Sequence, residues 1–255
     1  MSDHRSESRA DTRLIHGFHA VTAKLRQAAE DVRELFIAEG RQDGRMRDLL
    51  KLAASVGVRV VLSDTARLDG LTGGHGHQGV VARVSAQMRH VTLDDVLDGL
   101  TEPALLLVLD GITDPHNLGA CLRVADAAGA HAVVAPKDKA VGLNATAIKV
   151  ASGAADTVPY VVVTNLARSL REMQEHGIWV MGAAGEAPHD IYSIDQTVAC
   201  AWVLGAEGAG MRRLTGETCD QLARIPMHGS VESLNVSVSA GICLFETRRQ
   251  RGLKR

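Results

Sequence analysis

Four small polar residues, Ser233, Asn235, Ser237 and Ser239, fall at alternate positions within residues 225–240, where the chain turns from a polar loop to an apolar stretch. A core helix needs Leu, Ile and Val. A run of hydroxyls around a carboxamide serves to hold something polar. Val236, Ala240, Cys243 and Leu244 recur at helical spacing, so the run reads as a loop closing onto a helix over 233–249. A helix start offers free backbone N–H groups. Ile225 and Met227 provide apolar walls, Gly229 permits a turn, and residues 233–235 supply donors and acceptors. A flat heterocycle held at its edges by backbone is the ligand this suggests.

Two further segments carry candidate chemistry. Residues 202–211, W-V-L-G-A-E-G-A-G-M, leave an apolar strand for a three-glycine loop. Glycines there permit close approach of a ligand to the backbone. Glu207 in the middle would repel phosphate, and no Lys-Ser/Thr ends the loop as a P-loop requires. A carboxylate among backbone donors suits hydroxyls, a guanidinium or an amine; the plain alternative is a tight turn with an exposed Glu. Residues 109–129 read as strand, loop and helix, with a polar loop over 110–117 and the helix over 118–128. Asp114 before Pro115 is a helix entry. Asn117 and Arg123 are six residues apart, about 1.7 turns, so they share a face only if Asn117 lies in the loop. Arg123 interrupts an Ala/Leu/Val helix, where a charge is rarely buried unless paired; a bridge to Asp126 is the structural alternative. His116 and His228 lie in these loops, as general bases or as surface residues.

These loops need a scaffold. At 255 residues the chain makes one large domain or two. Residues 1–13 read as a disordered tail. Residues 14–85 alternate helices (18–29, 43–56) with strands (32–38, 58–62, 80–84), a small α/β module. Its Gly-rich turn holds His75 and His77, without a third metal ligand nearby. Residues 86–103, acidic and then Pro103, read as a linker. Beyond it, strands at 105–109, 132–135, 158–163, 178–181, 198–204 and 221–225 interleave with helices at 118–128, 144–152, 166–175 and 233–249. That pattern predicts a parallel sheet with helices on both faces, which binds ligands at the C-terminal ends of its strands.

Composition narrows the class. Aromatics are only 3%, so Ala, Val, Leu and Ile must build the core. No apolar run approaches the roughly 20 residues that span a bilayer, and the polar first residues lack an export signal. Four scattered cysteines without C-x-x-C spacing fit reduced thiols in a cytosolic protein. The net charge of −2 gives no global nucleic-acid signal. Arg41, Arg45, Arg47 and Lys51, and separately Arg248, Arg249, Arg251, Lys254 and Arg255, form runs that read as local RNA-binding faces or as solvated helix faces. No G-x-G-x-x-G follows an early strand, which argues against a dinucleotide site.

In order along the chain, D-P-H-N-L-G-A-x-L-R-V-A-D-A-A-G, L-G-A-E-G-A-G-M and I-P-M-H-G-x-V-E-S-L-N-V-S-V-S-A-G-I resemble the three motifs of the SpoU/TrmH family, RNA ribose 2′-O-methyltransferases of the SPOUT superfamily. The resemblance covers residues 104–250, taken as the methyltransferase domain (104–255). The first module, with I-H-G at 15–17 and H-Q-G-V-V-A at 77–82, looks like that family's substrate-binding domain, related in fold to ribosomal protein L30e. The architecture is most similar to the branch that methylates a guanosine in the peptidyl-transferase loop of bacterial 23S rRNA. Relatives acting on tRNA or another rRNA site are the alternative; those specific for tRNA often lack the module.

The resemblance implies a parallel sheet whose C-terminal part is tied in a deep trefoil knot, an exception to the usual absence of knots. It implies S-adenosylmethionine as cofactor, held by the knot loops, with no metal and no membrane association, in a cytoplasmic homodimer built on the last helix. By position, Leu204, Gly205, Ile225, Met227, Ser233 and Leu234 should contact the cofactor, joined by Gly182 and Ala183. Asn117, Arg123, Glu207 and Asn235 align with the family's active-site residues, supported by Ser233 and Ser237. The family's arginine has been assigned the proton-accepting role. A guanidinium has no acceptor, so Arg123 is better read as a phosphate clamp and alkoxide stabiliser. Glu207 would orient it, and Asn117 and Asn235 would position the ribose and the loops.

Overall fold

The computed structural model describes residues 12–74, 76–85 and 91–252, in two compact units, residues 1–89 and 90–255. In the first unit, β1 (Thr12–His16), β2 (Val32–Ala38), β3 (Val60–Ser63) and β4 (Val80–Ser85) form a sheet of order β1-β4-β2-β3. Only the β2–β3 pair is parallel. Helices α1 (Phe18–Gln27) and α2 (Gly44–Ser55) cover one face through Val21, Leu25, Met46 and Leu49. A third helix, α3 (Thr65–Thr72), covers the other, packing Leu68 on Phe36 and Val81. Thr12 and Arg13 were expected in a tail but open β1, paired with Ser85 and Val84. Long-range pairing, which local composition does not report, decides their state.

Two candidate residues of this unit, His77 and Arg41, are held in structural contacts, while Arg45, Arg47 and Lys51 are exposed. His77 is buried; its Nδ1 accepts the Gly79 amide at 2.9 Å, and its Nε2 lies 3.0 Å from Asp69 Oδ1, which fixes the turn into β4. His75 lies outside the described residues. Among the described residues no group of three or more His, Cys, Asp or Glu is placed to hold a metal ion. Arg41 donates to Asp43 at 2.5 Å and to the Gln78 carbonyl, with its guanidinium 4.7 Å from the centre of the Phe18 ring.

The second unit is a seven-stranded sheet of β5 (Leu105–Asp110), β6 (Ala132–Pro136), β7 (Tyr160–Val163), β8 (Trp179–Ala183), β9 (His189–Asp190), β10 (Cys200–Gly205) and β11 (Gln221–Arg224). Its order is β7-β6-β5-β10-β8-β11-β9, and every neighbouring pair is parallel. All six residues of β5 are buried, as its unbroken apolar run predicts. One face is covered by α5 (Pro115–Ala128), α6 (Ala145–Ala151) and α9 (Val236–Gly252). The other is covered by α4 (Leu93–Asp98) and α7 (Leu166–Glu175), while α8 (Arg213–Thr218) joins β10 to β11.

Helices α3 and α8 were not expected, β3 and β7 start two residues late, and three further boundaries differ from expectation. Much of the predicted linker is α4: Thr92 and Asp95 make a capping box, and Leu93, Val96 and Leu97 are buried with Leu106 and Val108. Asp94 and Asp95 occupy its first turn, where the dipole favours them. Helix α5 begins at Pro115, capped by Asp114, so Asn117 stands in its first turn and not in a loop. Helix α9 begins at Val236, which leaves Ser233, Leu234 and Asn235 in the preceding loop.

The basic end of α9 is also structural. Arg248 donates to the carbonyls of Ala128 and Gly129 at 2.6 Å each, closing the C-terminus of α5. Arg251 donates to Pro103 at 2.9 Å, Ala104 at 2.7 Å and Val198 at 2.6 Å, at the starts of β5 and β10. Arg249 pairs with Glu246 at 2.7 Å. Lys254 and Arg255 lie outside the described residues.

Candidate active site

The site grows from one register pair at the C-terminal edge of the sheet, Asp110 of β5 beside Gly205 of β10. Residues 111–114 lead from Asp110 into α5, where the Asp114 carboxylate accepts the His116 amide at 2.9 Å. Residues 206–212 leave Gly205 and fold back. Ala206 and Gly210 exchange amide–carbonyl bonds at 3.1 and 2.8 Å, and Gly208 and Gly210 take left-handed φ of 76° and 67°, which glycine adopts without strain. A Cβ on Gly205 would lie 2.1 Å from the Gly210 carbonyl carbon, so only glycine fits under the returning chain. At its exit, Arg212 donates its amide to Asp110 Oδ2 at 2.8 Å and its Nε to Oδ1 at 2.6 Å.

This fold-back presents Glu207 to two helix starts. Its Oε1 accepts from Asn235 Nδ2 at 2.7 Å, Asn117 Nδ2 at 3.2 Å and the Val236 amide at 3.4 Å. Asn235 Nδ2 also donates to Asn117 Oδ1 at 2.9 Å. Asn235 Oδ1 in turn accepts the Ser237 amide at 2.9 Å and hydroxyl at 2.6 Å, capping α9. A carboxylate between two helix N-termini is favoured by both dipoles. Its other oxygen, Oε2, has no hydrogen-bond partner among the described residues and stays available. Three predicted residues, Asn117, Glu207 and Asn235, are thus brought together.

Arg123 is not. Starting α5 at Pro115 puts Asn117 and Arg123 on one helix, about 9 Å apart along its axis and turned away from each other. Arg123 is exposed and makes no hydrogen bond or ion pair among the described residues, and Asp126 accepts the Thr157 hydroxyl at 2.5 Å. Glu207 therefore does not orient Arg123 within one chain, contrary to expectation.

Beside the cluster opens a cleft of about 1240 Å³, lined by Ala183, Leu204, Gly205, Glu207, Ile225, Met227, Ser233 and Leu234, all of them predicted. Gly182 does not line it, because Leu222 and Met211 fill the space beside its Cα. Met211, the last residue of the glycine-loop motif, lines it as well, and Arg212, Arg213, Glu217, Arg224 and Ser239 line it unforeseen. Those at 212–217 belong to a loop and six-residue helix too short to leave a periodic signal, and Ser239 stands out in the sequence only as a polar residue of the final run. Gly185, Gly208, Gly210 and Gly216 border the cleft with open space where a side chain would stand. Apolar walls with bare backbone between them suit S-adenosylmethionine, whose adenine needs both.

The remaining titratable groups set limits on the chemistry. The ring Nδ1 of His116 lies 3.1 Å from Asp114 Oδ1, and the His116 amide and ring hold the Asp114 carboxyl below the usual carboxylate range. Burial, aided by the charge of Glu207, pushes the Cys121 thiol up to about 12. Burial, with Asp220 and Asp110, does the same to Cys219, also to about 12. Neither is a thiolate at neutral pH, so neither serves as a nucleophile.

Residues 104–245 match the SpoU rRNA Methylase family, and residues 14–89 match the family described as RNA 2′-O ribose methyltransferase substrate binding. The chain belongs to the SpoU rRNA methylase family. It is 60% identical over 242 residues to the 23S rRNA (guanosine-2′-O-)-methyltransferase RlmB of Ralstonia nicotianae, covering 95% of this chain and 97% of that one. It is 54% identical to RlmB of Escherichia coli, covering 93% and 98%. Among solved structures, the SpoU methyltransferase AviRb of Streptomyces viridochromogenes with AdoMet superposes with a TM-score of 0.69 at 25% identity, over 98% of this chain and 95% of that one. The TrmH/SpoU tRNA modifying enzyme of A. aeolicus, 28% identical with a TM-score of 0.55, covers only 64% of this chain and 82% of its own.

Proposed function

We propose that this protein methylates the 2′-oxygen of a guanosine ribose in 23S rRNA, in the peptidyl-transferase loop region, using S-adenosylmethionine. One observation carries the reading: the three motif segments meet at Glu207, on the rim of a glycine-walled cleft. Identity of 54–60% to RlmB relatives over nearly the whole chain supports the substrate, as does the short match of the tRNA-modifying neighbour.

S-adenosylmethionine, when bound, supplies a methyl group on a sulfonium open to in-line attack. Leu204, Ile225, Met227 and Leu234 wall its site, while Gly205, Ala183 and Ser233 offer backbone at its edges. The 2′-hydroxyl is a poor nucleophile and must be aligned and partly relieved of its proton. Asn117 and Asn235 hold Glu207 so that its open oxygen faces that task. Arg123, always protonated, clamps a neighbouring phosphate and stabilises the developing alkoxide.

Because Arg123 stands apart from the cluster in one chain, the reading includes a homodimer in which a second copy presents it. Support comes from α9, buried along Ala240 and Leu244 yet with Val238 and Phe245 about half exposed, and packed on α5 through Gly241, whose added Cβ would lie 3.7 Å from Val124. The knot and a cytoplasmic location belong to the same proposal. Support for the knot is the insertion of β10 between β5 and β8, two strands that precede it in the chain. No described helix is long and apolar enough to cross a membrane.

The test is transfer of radiolabelled methyl from S-adenosylmethionine to unmethylated 23S rRNA, with tRNA in parallel and Arg123→Ala as control. Label on a single 23S ribose, lost in the variant, is the expected result. Label on tRNA alone moves the substrate; absence of cofactor binding ends the reading.

A further inference from the structure

We infer that Asp110 is a positioning residue for methyl transfer: by holding Arg212 it clasps the 206–211 loop shut and fixes where Glu207 stands. The inference rests on the proposed methyltransferase reading for its activity readout alone. Both ends of the loop are tied to this one residue. On entry, Gly205 is in register with the Asp110 backbone. On exit, the Arg212 amide and guanidinium reach the Asp110 carboxylate at 2.8, 2.6 and 2.5 Å. Glu207 lies two residues from the entry, and the mutual bonds of Ala206 and Gly210 give the loop little slack. Asp110 also starts the segment leading to Asn117, so donor and acceptor of the cluster both trace back to this one residue, through its backbone and its carboxylate.

The pair is asymmetric in a way that suits a clasp. The Asp110 side chain is 0% exposed and that of Arg212 is 45% exposed. Opening the loop would leave a buried carboxylate without its cation, a costly state. The closed loop is therefore held before substrate arrives, and preorganisation of that kind lowers a barrier without reorganisation during the reaction. With the guanidinium on Oδ1 and the amide on Oδ2, both carboxylate oxygens are engaged, which fixes direction as well as distance.

A double-mutant cycle separates this role from simple support of the core. Asp110→Asn should lower kcat about 100-fold in the parent, the size expected of an ångström-scale misplacement, but less than about threefold in a Glu207→Gln background, because non-additivity marks residues acting through each other. Hydrogen exchange should quicken at the amides of Ala206 and Gly210 while the rest of the unit stays protected. If Asp110→Asn does not fold, Arg212→Gln enters the same cycle, with Arg212→Lys expected to recover part of the loss. Equal losses in both backgrounds, or a folded Asp110→Asn with parental kcat and unchanged exchange, would overturn the inference. Should the parent transfer no methyl group, the functional reading fails, and the exchange measurement alone decides the clasp.

Discussion

Arg123 and Arg251 stand on two helices packed against each other, and their guanidinium groups meet opposite fates. Arg251, near the end of α9, has donors committed to three carbonyls at the starts of β5 and β10. Arg123, midway along α5, commits none among the described residues. The two edges of the sheet follow the same division. At the N-terminal edge, polar groups are used up in closing strands and helix ends. At the C-terminal edge they bond to one another, yet leave a carboxylate oxygen unspent, while the uncommitted Arg123 guanidinium stands farther along α5. On the proposed reading, function lies where the polar inventory is incomplete, and charge alone does not mark it.

The sharpest way to break the comparison is Arg123→Ala. Methyl transfer should fall on the order of 100-fold, typical of a lost electrostatic stabiliser, while the thermal midpoint stays unchanged because nothing among the described residues bonds to that side chain. A drop in the midpoint without loss of kcat would reverse the assignment. Arg251→Ala should do the opposite. Losing bonds from a charged donor to three carbonyls should cost about 2–3 kcal/mol, read by urea titration, with kcat at 25 °C within about twofold of the parent. Asn235→Ala tests the boundary, since this residue both caps α9 and holds Glu207. It should lose about 1 kcal/mol of stability as a cap and about tenfold in kcat, the worth of one bond to a charged group.

The smallest effect concerns Asp114. Its carboxyl titrates lower folded than unfolded, so its contribution to stability is present above the ordinary carboxylate range and fades as pH falls through the lowered value. Urea midpoints at pH 7 and pH 3 should show Asp114→Asn slightly less stable than the parent at pH 7 and converging with it at pH 3, which flattens the acid limb. An unaltered limb would mean that the cap carries no pH dependence.

What could be read from the sequence follows how local each signal is. The buried run of β5, the glycine loop holding Glu207 and the loop before α9 were legible because each is spelled within a dozen residues. The strand at Thr12 was not, since a polar segment becomes a strand only by pairing with β4. Helix α4 was missed because Asp94 and Asp95 look like solvent-seeking charges until Thr92 is seen to cap them. Asn117 was placed in a loop although Asp114 and Pro115 signalled the earlier start, and that error hid its separation from Arg123. The bond from Arg212 to Asp110 spans 102 residues, a distance over which no spacing rule operates.

The reach of Arg251 has a consequence for how the chain is made. Its Nη1 bonds to a carbonyl 148 residues earlier, so β5 emerges during translation with groups whose partner has not been synthesised. The first unit has its four strands and three helices within residues 12–85 and can settle while the rest is still being added, as domains fold in order of synthesis. The second must wait for its last turn of helix. A message truncated before α9, or a pause there, would release a chain with one finished unit and one sheet still open along its lower edge, ready for chaperones or proteases. The seventeen residues of α9 are thus the last that the second unit needs for closure.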